Sequence, residues 1–582
     1  MAALQHKPVT ILSPALQKLA DDYITWRLQD TPEFASLSGF HDRDDCLDDM
    51  SLKAYHNRCD RCQEFLERTK VVEDELTHHV DFVNFKILQA DLLTFIDGFP
   101  FTGFLMPLCY LSGVHLDFEL LVSWMIFKTT EDYRKLLSRM ENLPVQLKQI
   151  EELMREGIKK GIVNHSSSLA GVTESLTRFV VESAEESPLW NFFETFPDGM
   201  LPDDVADIQT CARTLITGRL SEGFKELRNF TENYKIATRS NPAINSLPNG
   251  DALYRQLVRF HTTTNMTPEE IHQVGKSEVA RIEKEMAKII CELGYDMTVC
   301  DFSSFIRNDR KFYFNNPKDL LLEIQRLIHE VIAPRLPDIF TAVPKTELRV
   351  VADPSPDRTL AFYQPAAIDG SRPGLYKVNT QLCNAQPKYD LLTLSLHEGN
   401  PGHHLHSAYL LESPNMPLFR KIFEDRNYQQ APSRFPFYTA FMEGWALYAE
   451  SLGFDMNLFE DPFDRYGHFS NEMYRACRLV VDTGLHCFGW TREEAVTYMT
   501  YHTALALENI ENEVNRYIAL PGQALAYKIG QLKIKQLRQK ATSSLGKNFS
   551  LKEFHDVVLT NSGPLDLLDD EVNAWIEAYT PV

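Results

Sequence analysis

The sequence lacks any run of about 18 consecutive apolar residues, the length that a helix needs to cross a bilayer, so we expect no membrane-spanning segment. It also lacks a surplus of basic residues, because 81 Asp and Glu outnumber 59 Lys and Arg and leave a net charge of −22. Nucleic acids and anionic membrane surfaces require a basic footprint, so both are excluded as partners. An acidic solvated surface accounts for the charge, and an acidic cleft that selects basic substrates is the alternative.

The N-terminus has no features of a secretory leader, since residues 1–8 contain no charged segment followed by an apolar one. We therefore expect a cytoplasmic protein. The ten cysteines form no paired framework, and in a chain without a leader they are expected to be free thiols. Cys59 and Cys62 form an isolated Cys-x-x-Cys pair within a charged helical pattern, for which we expect no metal or redox role.

Apolar residues recur at intervals of three and four through most of the chain, which predicts a mainly α-helical fold. Thr267 followed by Pro268 is typical of an N-cap and the first position of a helix, which we expect to continue to Leu293. A small sheet is predicted only within the interval 340–380. Its expected strands are residues 348–351, 360–363 and 375–379.

A polar, turn-rich interval at residues 240–250 predicts a boundary within the chain. It separates an N-terminal helical region, residues 1–240, from a second region, residues 241–582, which contains the predicted sheet. The two regions either fold apart or form one continuous unit of two lobes.

A group of histidines near position 400 predicts a zinc site. A mostly apolar run leads directly into His397 and Glu398. The histidines that follow within eight residues of Glu398 are His403, His404 and His406. This composition suits a borderline-soft divalent metal with a carboxylate beside it.

The spacing differs from the short His-Glu-x-x-His signature, in which two histidines lie one helical turn apart. Pro401 occupies the fourth position after His397, and it both lacks an N–H and clashes with the carbonyl of that histidine. On a straight helix His403 would lie about 120° around the axis, and His404 about 10 Å further along it. The Pro401-Gly402 pair must therefore kink or bulge the helix, so that His403 or His404 returns beside His397.

A catalytic zinc ion keeps three protein ligands, so a third ligand is expected from another helix. Glu443 and Glu450 lie in an otherwise apolar helical segment, where an unpaired buried acid would be costly. They are seven residues apart and share one helix face, but about 10 Å separates them. Only one of them can contact the metal.

The motif His-Glu-Gly-x-Pro-Gly-His-His at residues 397–404 resembles the DUF885 family, whose members look like distant relatives of the gluzincin metallopeptidases. These relatives include the angiotensin-converting-enzyme and thermostable-carboxypeptidase groups. The resemblance covers most of the chain and is densest over residues 375–538. It implies a large helical gluzincin-like fold, with a small sheet beside the active-site helix, a deep cleft and one Zn2+ per chain.

The resemblance also implies a ligand set. Alignment with the shorter signature favours His403 as the second ligand beside His397, with His404 as the alternative. The residues from Glu443 to Glu450 resemble a second family motif, and the first glutamate of that motif is the metal ligand in related gluzincins. Glu450 then either orients a ligand histidine or is solvated.

The catalytic groups follow from the same resemblance. Glu398, next to His397, would act as the general base, taking a proton from water and passing it to the leaving amine. Residues 513–530 resemble a third family motif, in which a tyrosine points into the cleft of related enzymes. Tyr527 is the first candidate for the oxyanion donor and Tyr517 the second, and a place in the amphipathic core is the alternative for each.

Two further residues are candidates for substrate binding. Arg516 would bind a substrate carboxylate, or else pair with Glu513. Arg478, Asp482 and His486 are successive i, i+4 neighbours in another segment that resembles a family motif. His486 therefore either contacts the substrate or only helps to hold one helix face together.

These features predict a zinc-dependent metallopeptidase whose peptide substrate adds as a strand to the edge of the small sheet. A sheet that only packs against the helix is the alternative for that edge. Two other functions remain open. One is a zinc hydrolase of non-peptide amides or esters, which the same groups would serve, and the other is a metal-stabilised helical scaffold that binds peptides without cutting them.

Overall fold

The computed structural model describes residues 10–353, 360–414 and 416–579, and helices make up most of this part of the chain. Residues 1–8, at which no secretory leader is expected, lie outside the described residues. Within them, none of the helices combines the length and the apolar character that crossing a membrane requires. The expectation of a mainly α-helical protein with a small sheet is confirmed.

The described helices before residue 240 are α1 Pro14–Asp30, α2 Pro32–Leu37, α3 Leu52–Glu73, α4 His79–Gly98, α5 Val114–Trp124, α6 Thr130–Lys160, α7 Val172–Thr177, α8 Pro202–Leu215 and α9 Ser221–Tyr234. Local sequence sets their ends. Thr129 and Asp132 form a capping box at the start of α6, and Gly161 ends that helix with a left-handed φ of 72°.

The helices that lead to the sheet are α10 Gly250–Thr262, α11 Pro268–Glu292, α12 Val299–Asn308, α13 Pro317–Arg326 and α14 Leu336–Ile339. At the start of α11 the Thr267 side chain accepts a hydrogen bond from the amide of Glu270 at 3.2 Å, and Pro268 is the first helical residue. The helix predicted from this cap to about Leu293 is confirmed.

Within the described residues the strands are β1 Leu348–Ala352, β2 Ala361–Gln364 and β3 Gly374–Val378, and they form one sheet. The order is β1-β3-β2, with β1 parallel and β2 antiparallel to β3. The three predicted strands are therefore confirmed. Because β2 is at one end of the sheet, one of its edges has no strand partner in the described part of the chain.

After the sheet the chain is helical again, with α15 Lys388–Glu398, α16 His403–Glu412, α17 Thr439–Asp455, α18 Pro462–His486, α19 Arg492–His502, α20 Leu507–Ala519, α21 Ala526–Leu545, α22 Leu551–Thr560 and α23 Leu565–Tyr579. Two of these helices are central to the fold, since α18 packs along α11 and α17 packs along α21. Trp445 and Tyr448 on α17 and Tyr466 on α18 are fully buried.

The apolar core does not follow the predicted boundary at residues 240–250. One cluster of buried residues joins α1, α3 and α4 to β1, β3 and most of the helices from α10 to α23. A second cluster lies within residues 50–234 and a third within residues 279–524. The first helices of the chain thus share a cluster of buried residues with the C-terminal region.

All ten cysteines are free thiols, as expected. Cys59 and Cys62 are buried in α3, and burial raises the pKa of both thiols. Buried protonated thiols behave as small apolar residues, so the Cys-x-x-Cys pair contributes to packing.

Candidate metal centre

The helix breaks between α15 and α16, at residues 399–402, as the position of Pro401 predicts. A Cβ atom on Gly402 would overlap the carbonyl oxygens of Leu396 and His397, so only glycine allows this close approach. The chain therefore folds back against the last turn of α15 before α16 begins.

Trp445 of α17 holds this bend from the other side. Its indole N–H donates to the carbonyl oxygen of Pro401 at 2.9 Å, and its ring is fully buried. As a result the rings of His397 and His403 lie next to each other, with centroids 4.9 Å apart and planes at 88°. The bend thus brings together two imidazoles that a straight helix would direct apart.

His397, His403 and Glu443 form a compact group that we call the metal cluster. Oε2 of Glu443 lies 3.5 Å from Nε2 of His397 and 3.3 Å from Nε2 of His403. The three donor atoms all lie within 4.8 Å of one another. In a tetrahedral zinc site with bonds of about 2.0–2.1 Å, neighbouring ligand atoms are about 3.3 Å apart. The two histidine–glutamate distances match that spacing.

The chemistry of these donors also fits a metal. Oε2 of Glu443 is buried and has no hydrogen-bond partner among the described residues, although two ring nitrogens face it. Burial alone would raise the pKa of Glu443, but His403 and His397 hold it well below its usual range. The side chains of His403 and Glu443 are each 16% exposed, so solvent reaches the cluster. The set fits one zinc ion that keeps a position open for water.

Glu450, two helical turns beyond Glu443 on α17, holds the first histidine of the cluster. Its Oε1 lies 2.8 Å from Nδ1 of His397, and the residue is 1% exposed. Because a carboxylate only accepts hydrogen bonds, Nδ1 carries a proton, and Nε2, on the side of Glu443, is the nitrogen that could bind a metal. Of the two positions expected for Glu450, the structure therefore has the one that orients a histidine.

Glu398 ends α15 beside the metal cluster and is buried, with 8% exposure. Burial raises the pKa of its carboxyl, His397 and His403 lower it, and the charge of Glu443 raises it again. The backbone N–H of Tyr363 on β2 also lowers this pKa, so it lies on the side of this carboxylate. The group predicted to act as a base is thus tied to the edge of the sheet.

The outer edge of β2 faces this site. The amide of Asn379 donates to the carbonyl of Leu360 at 2.9 Å, and bonded and non-bonded pairs alternate along an antiparallel ladder. Tyr363 lies three residues after Leu360 and pairs with Tyr376, so it occupies a non-bonded position. Its N–H therefore points away from β3 and towards Glu398.

Tyr527 is the candidate tyrosine that responds electrostatically to the metal cluster. Burial raises the pKa of its hydroxyl, and the charge of Glu443 raises that pKa further. Gln523 contacts the hydroxyl at 3.4 Å, a long hydrogen bond. The hydroxyl of Tyr517 instead accepts a hydrogen bond from Nε of Arg478 at 3.1 Å. The structure therefore favours Tyr527 over Tyr517 for a place at the site.

A contact between glycines brings Tyr527 close to the cluster. A Cβ atom on Gly444 would overlap the backbone of Gly530, and a Cβ atom on Gly530 would overlap the carbonyl of Ala440. Helices α17 and α21 can approach this closely only because both positions lack a side chain. Glu443 precedes the first of these glycines, so the helix that carries Tyr527 crosses next to it.

Arg516 lies near Tyr527 but forms no ion pair with Glu513. Nη2 of Arg478 occupies that carboxylate at 2.7 Å, and within the described chain Arg516 has no carboxylate within ion-pair distance. The guanidinium carbons of Arg478 and Arg475 lie 4.6 Å and 5.9 Å from the centre of the Tyr527 ring. Burial lowers the pKa of Arg516, but Tyr527 and Glu513 act more strongly and raise it. We call Arg475, Arg478 and Arg516 the arginine cluster.

The alternative ligand His404 does not belong to the metal cluster. Its Nε2 lies 3.1 Å from the carbonyl oxygen of Thr346, and its Nδ1 lies 3.2 Å from the hydroxyl of Tyr363. Burial lowers its pKa to about 4. Both nitrogens are therefore engaged outside the site, because α16 turns this ring towards the sheet while its neighbour His403 faces Glu443.

His486 offers no ring nitrogen to a substrate. It is fully buried, Nδ1 accepts a hydrogen bond from the amide of Ile244 at 3.1 Å, and Nε2 donates to the carbonyl of Tyr517 at 2.9 Å. Burial lowers its pKa to about 3. Asp482 likewise accepts from the hydroxyl of Tyr254 at 2.6 Å. These contacts favour the alternative, in which this motif holds helices together.

Sequence reasoning missed Asp425 and Arg475 as residues near the site. Asp425 is exposed to solvent, yet the surrounding protein raises its pKa, and the charges of Glu443 and His403 act on it. This combination is typical of the wall of a recess. No periodic pattern marks the segment that carries Asp425, between α16 and α17. For Arg475 a signal exists, because it and Arg478 lie one turn apart in a largely buried helix.

The model of the DUF885 family, described as a bacterial protein of unknown function, matches residues 32–572. No curated protein gives a significant match.

Two solved structures share the fold. A candidate lipoprotein from Colwellia psychrerythraea is 27% identical, with a TM-score of 0.87, and the match covers 98% of this chain and 100% of that one. A candidate lipoprotein of unknown function from Shewanella oneidensis is 19% identical, with a TM-score of 0.72, and the match covers 96% of this chain and 99% of that one. Because the family model spans nearly the whole sequence, the chain belongs to the DUF885 family.

Proposed function

We propose that this chain is a zinc-dependent metallopeptidase, with one Zn2+ held by His397, His403 and Glu443. The observation that carries the proposal is the convergence of two imidazole nitrogens and a carboxylate oxygen within 4.8 Å, beside the buried carboxyl of Glu398. When bound, zinc would polarise a peptide carbonyl and lower the pKa of a water molecule towards about 7.

Glu398 moves the proton in this proposal. Its carboxylate takes a proton from the attacking water and returns it to the leaving amine. The amide of Tyr363 and the surrounding protein hold the carboxylate in one position, so little reorganisation is needed during the reaction. His397 is kept in the required tautomer by Glu450, which leaves Nε2 available.

Tyr527 donates a hydrogen bond to the oxyanion that develops on the substrate carbonyl. Its buried phenol stays protonated at neutral pH because burial and Glu443 raise its pKa. The hydroxyl is held by one long hydrogen bond, from Gln523 at 3.4 Å, so it can turn to a substrate. Tyr517 is the weaker candidate, because its hydroxyl is bound to Arg478 and the charges that act on its pKa are those of Tyr474, Arg478 and Glu513.

The substrate is a peptide bound in an extended conformation along the outer edge of β2. That edge faces Glu398, and backbone hydrogen bonds to it would hold a peptide of any sequence. In this geometry the strand positions the scissile bond, and side chains around the recess select among sequences.

The proposed location is the cytoplasm. Ten free cysteines suit a reducing compartment, where thiols stay reduced. The two solved relatives are described as candidate lipoproteins, which makes an anchored location the competing expectation. Fractionation of cells that produce the full chain distinguishes the two, since an anchored protein sediments with membranes.

The experiment that tests the proposed function compares the full chain with its Glu398→Gln variant. Metal content is measured in both, and both are incubated with a peptide library with and without a chelator. We expect equal zinc content, hydrolysis by the wild type alone, and loss of that hydrolysis when the chelator is present. The matched control is Glu460→Gln, an exposed position, which should keep full activity.

Other outcomes point to other functions. Zinc binding without hydrolysis of any peptide in the library would contradict the peptidase. Turnover of non-peptide amides or esters under the same conditions would then indicate a different zinc hydrolase, and peptide binding without turnover would indicate a scaffold. Absence of zinc from the wild type would contradict the metal site itself.

A further inference from the structure

The arginine cluster concentrates positive charge at one place in an acidic protein. The chain has a net charge of −22, yet Arg475 and Arg478 on α18 and Arg516 on α20 all lie near Tyr527. The guanidinium carbon of Arg478 lies 4.6 Å from the centre of the Tyr527 ring, and that of Arg475 lies 5.9 Å from it. Because the charge of Glu443 also raises the pKa of Tyr527, the arginine cluster lies next to the proposed catalytic site.

The positive charge of the cluster is only partly neutralised. Glu513 pairs with Arg478, with Oε2 2.7 Å from Nη2. Among the described residues Arg475 and Arg516 have no carboxylate within ion-pair distance, and Arg475 instead donates to the amide oxygen of Asn471 at 3.1 Å. Of the three guanidinium groups, only that of Arg478 forms an ion pair within the described chain, and the carboxyl of Asp390 interacts with Arg475 from a longer distance.

Several donors of the cluster are buried and unused. Nε of Arg475, Nη1 of Arg478 and Nε of Arg516 are buried and have no hydrogen-bond partner among the described residues. Arg478 as a whole is 3% exposed. A buried charged donor without an acceptor is unfavourable, so these donors favour an anion that can accept hydrogen bonds from them.

An anion can reach these donors. Arg475 and Arg516 are half-buried, as is Tyr474, whose hydroxyl accepts a hydrogen bond from Arg478. The side chain of Glu513 is 22% exposed, so solvent enters between α18 and α20. Arg475 and Arg516 are thus partly accessible to solvent, and both lie near Tyr527.

We infer that the arginine cluster binds a carboxylate of the peptide substrate, so that the site selects peptides with a free C-terminus or an acidic side chain nearby. Planar guanidinium groups bind carboxylates through two parallel hydrogen bonds, and three of them provide both charge and direction. This inference rests on the proposed peptidase function and names its substrate class. The surrounding negative surface would oppose binding of an acidic ligand anywhere else on the molecule.

Binding without turnover tests this inference separately from catalysis. The full chain, with its metal removed by EDTA, is titrated with three probes in a calorimeter. The probes are acetyl-Ala-Ala-Ala as the free acid, the same peptide as its C-terminal amide, and acetyl-Ala-Glu-Ala amide. We expect at least one carboxylate probe to bind about tenfold or more tightly than the neutral amide.

Variants then assign the effect to the cluster. Arg516→Gln and Arg475→Gln should each reduce the preference for the carboxylate probe to about twofold or less. The matched control is Arg465→Gln on the same helix α18, which pairs with Glu292 at the surface and should keep the full preference. Melting curves of each variant report whether it folds, and the comparison of probes in the wild type stands without any variant.

The three probes distinguish the kinds of carboxylate that the cluster could bind. Tight binding of the free acid alone identifies a C-terminal carboxylate, and tight binding of the glutamate peptide identifies a side-chain carboxylate. Equal affinity of the wild type for all three probes would overturn the inference, as would an unchanged preference in both folded cluster variants. Because no metal is present, a failure of the peptidase proposal leaves this measurement unaffected.

Discussion

Glu450 is buried against His397 although it does not belong to the metal cluster. Replacing it with Gln keeps a hydrogen-bond acceptor but removes the charge that makes the ring a stronger ligand. We expect Glu450→Gln to lower zinc affinity about 10-fold to 100-fold, measured by competition with a chromophoric chelator. Glu460→Gln, which alters an exposed carboxylate, should bind zinc as the wild type does. Equal affinity in the two variants would contradict the orienting role.

His486 predicts a defined loss of stability in acid. Its pKa is lowered by burial to about 3 from the usual 6.5, so between these values the unfolded chain binds a proton that the folded chain does not. Its contribution is therefore complete above pH 6.5 and is lost as the pH falls. Between pH 6.5 and 5.5 the loss is about 1 kcal/mol.

His486→Gln removes this titration while an amide can still accept from Ile244 and donate to the carbonyl of Tyr517. Unfolding in urea at both pH values should show a smaller acid-induced loss in the variant, by about 1 kcal/mol. An identical pH dependence in the two proteins would mean that this ring does not titrate differently on folding.

For individual residues, the sequence predicted which residue types form the site better than it predicted what surrounds them. The donors of the metal cluster could be predicted from the residues themselves. Several imidazoles at a helix break, and an acid in an apolar helix, are energetically unfavourable unless they bind a partner such as a metal. The choice between an orienting and a solvated Glu450 depended on burial, which spacing does not determine. Arg475 was missed because what distinguishes it is the lack of a carboxylate within ion-pair distance. That lack is known only once the helices have packed.

Among the secondary-structure elements, the crossing of α17 and α21 sets the position of Tyr527 relative to Glu443. Gly530→Ala would place a Cβ atom against the carbonyl of Ala440 and push the two helices apart. We expect a loss of about 1–3 kcal/mol in the free energy of unfolding, together with slower peptide hydrolysis. Denaturant unfolding and kcat measure these effects.

The matched control for this change is Gly563→Ala. A Cβ atom there would meet Ile87 at 3.4 Å, an ordinary contact, so stability and hydrolysis should stay close to those of the wild type. If the two alanine variants behaved alike, the close helix crossing would not be what positions Tyr527.

The elements themselves were largely predictable. Thr267 with Pro268 marked the start of α11, and the three β-prone segments became the three strands. The register of β2 was not predictable, because it depends on which residue of β3 lies opposite Tyr363 and not on local preference. The kink before His403 followed from proline chemistry alone, whereas its fixation by Trp445 required the tertiary structure.

For the molecule as a whole, zinc links α15, α16 and α17 in the proposed site. Since the metal binds the folded state, removing it should lower thermal stability, by about 2.7 kcal/mol when zinc had been present at a hundred times its dissociation constant. Melting temperatures with and without chelator measure the effect. Glu443→Ala should melt at one temperature under both conditions, and a chelator effect that persisted in this variant would place the metal elsewhere.

At the largest scale the prediction was strongest for fold class and weakest for how the regions combine. Composition and periodicity indicated a mainly helical protein with one small sheet. The turn-rich interval at residues 240–250 is real, but buried residues of α1, α3 and α4 join the core of the C-terminal region. Contacts between residues so distant in sequence leave no local pattern, so the sequence left separate regions and one continuous unit as alternatives.

The backbone N–H of Tyr363, on the edge of β2, lowers the pKa of Glu398 and therefore lies close to it. A peptide bound along β2 would contact the same stretch of backbone that lies beside Glu398, the proposed proton acceptor. Substrate binding and catalysis would therefore depend on the same peptide unit of the backbone. A substitution that changed one of them would also change the other.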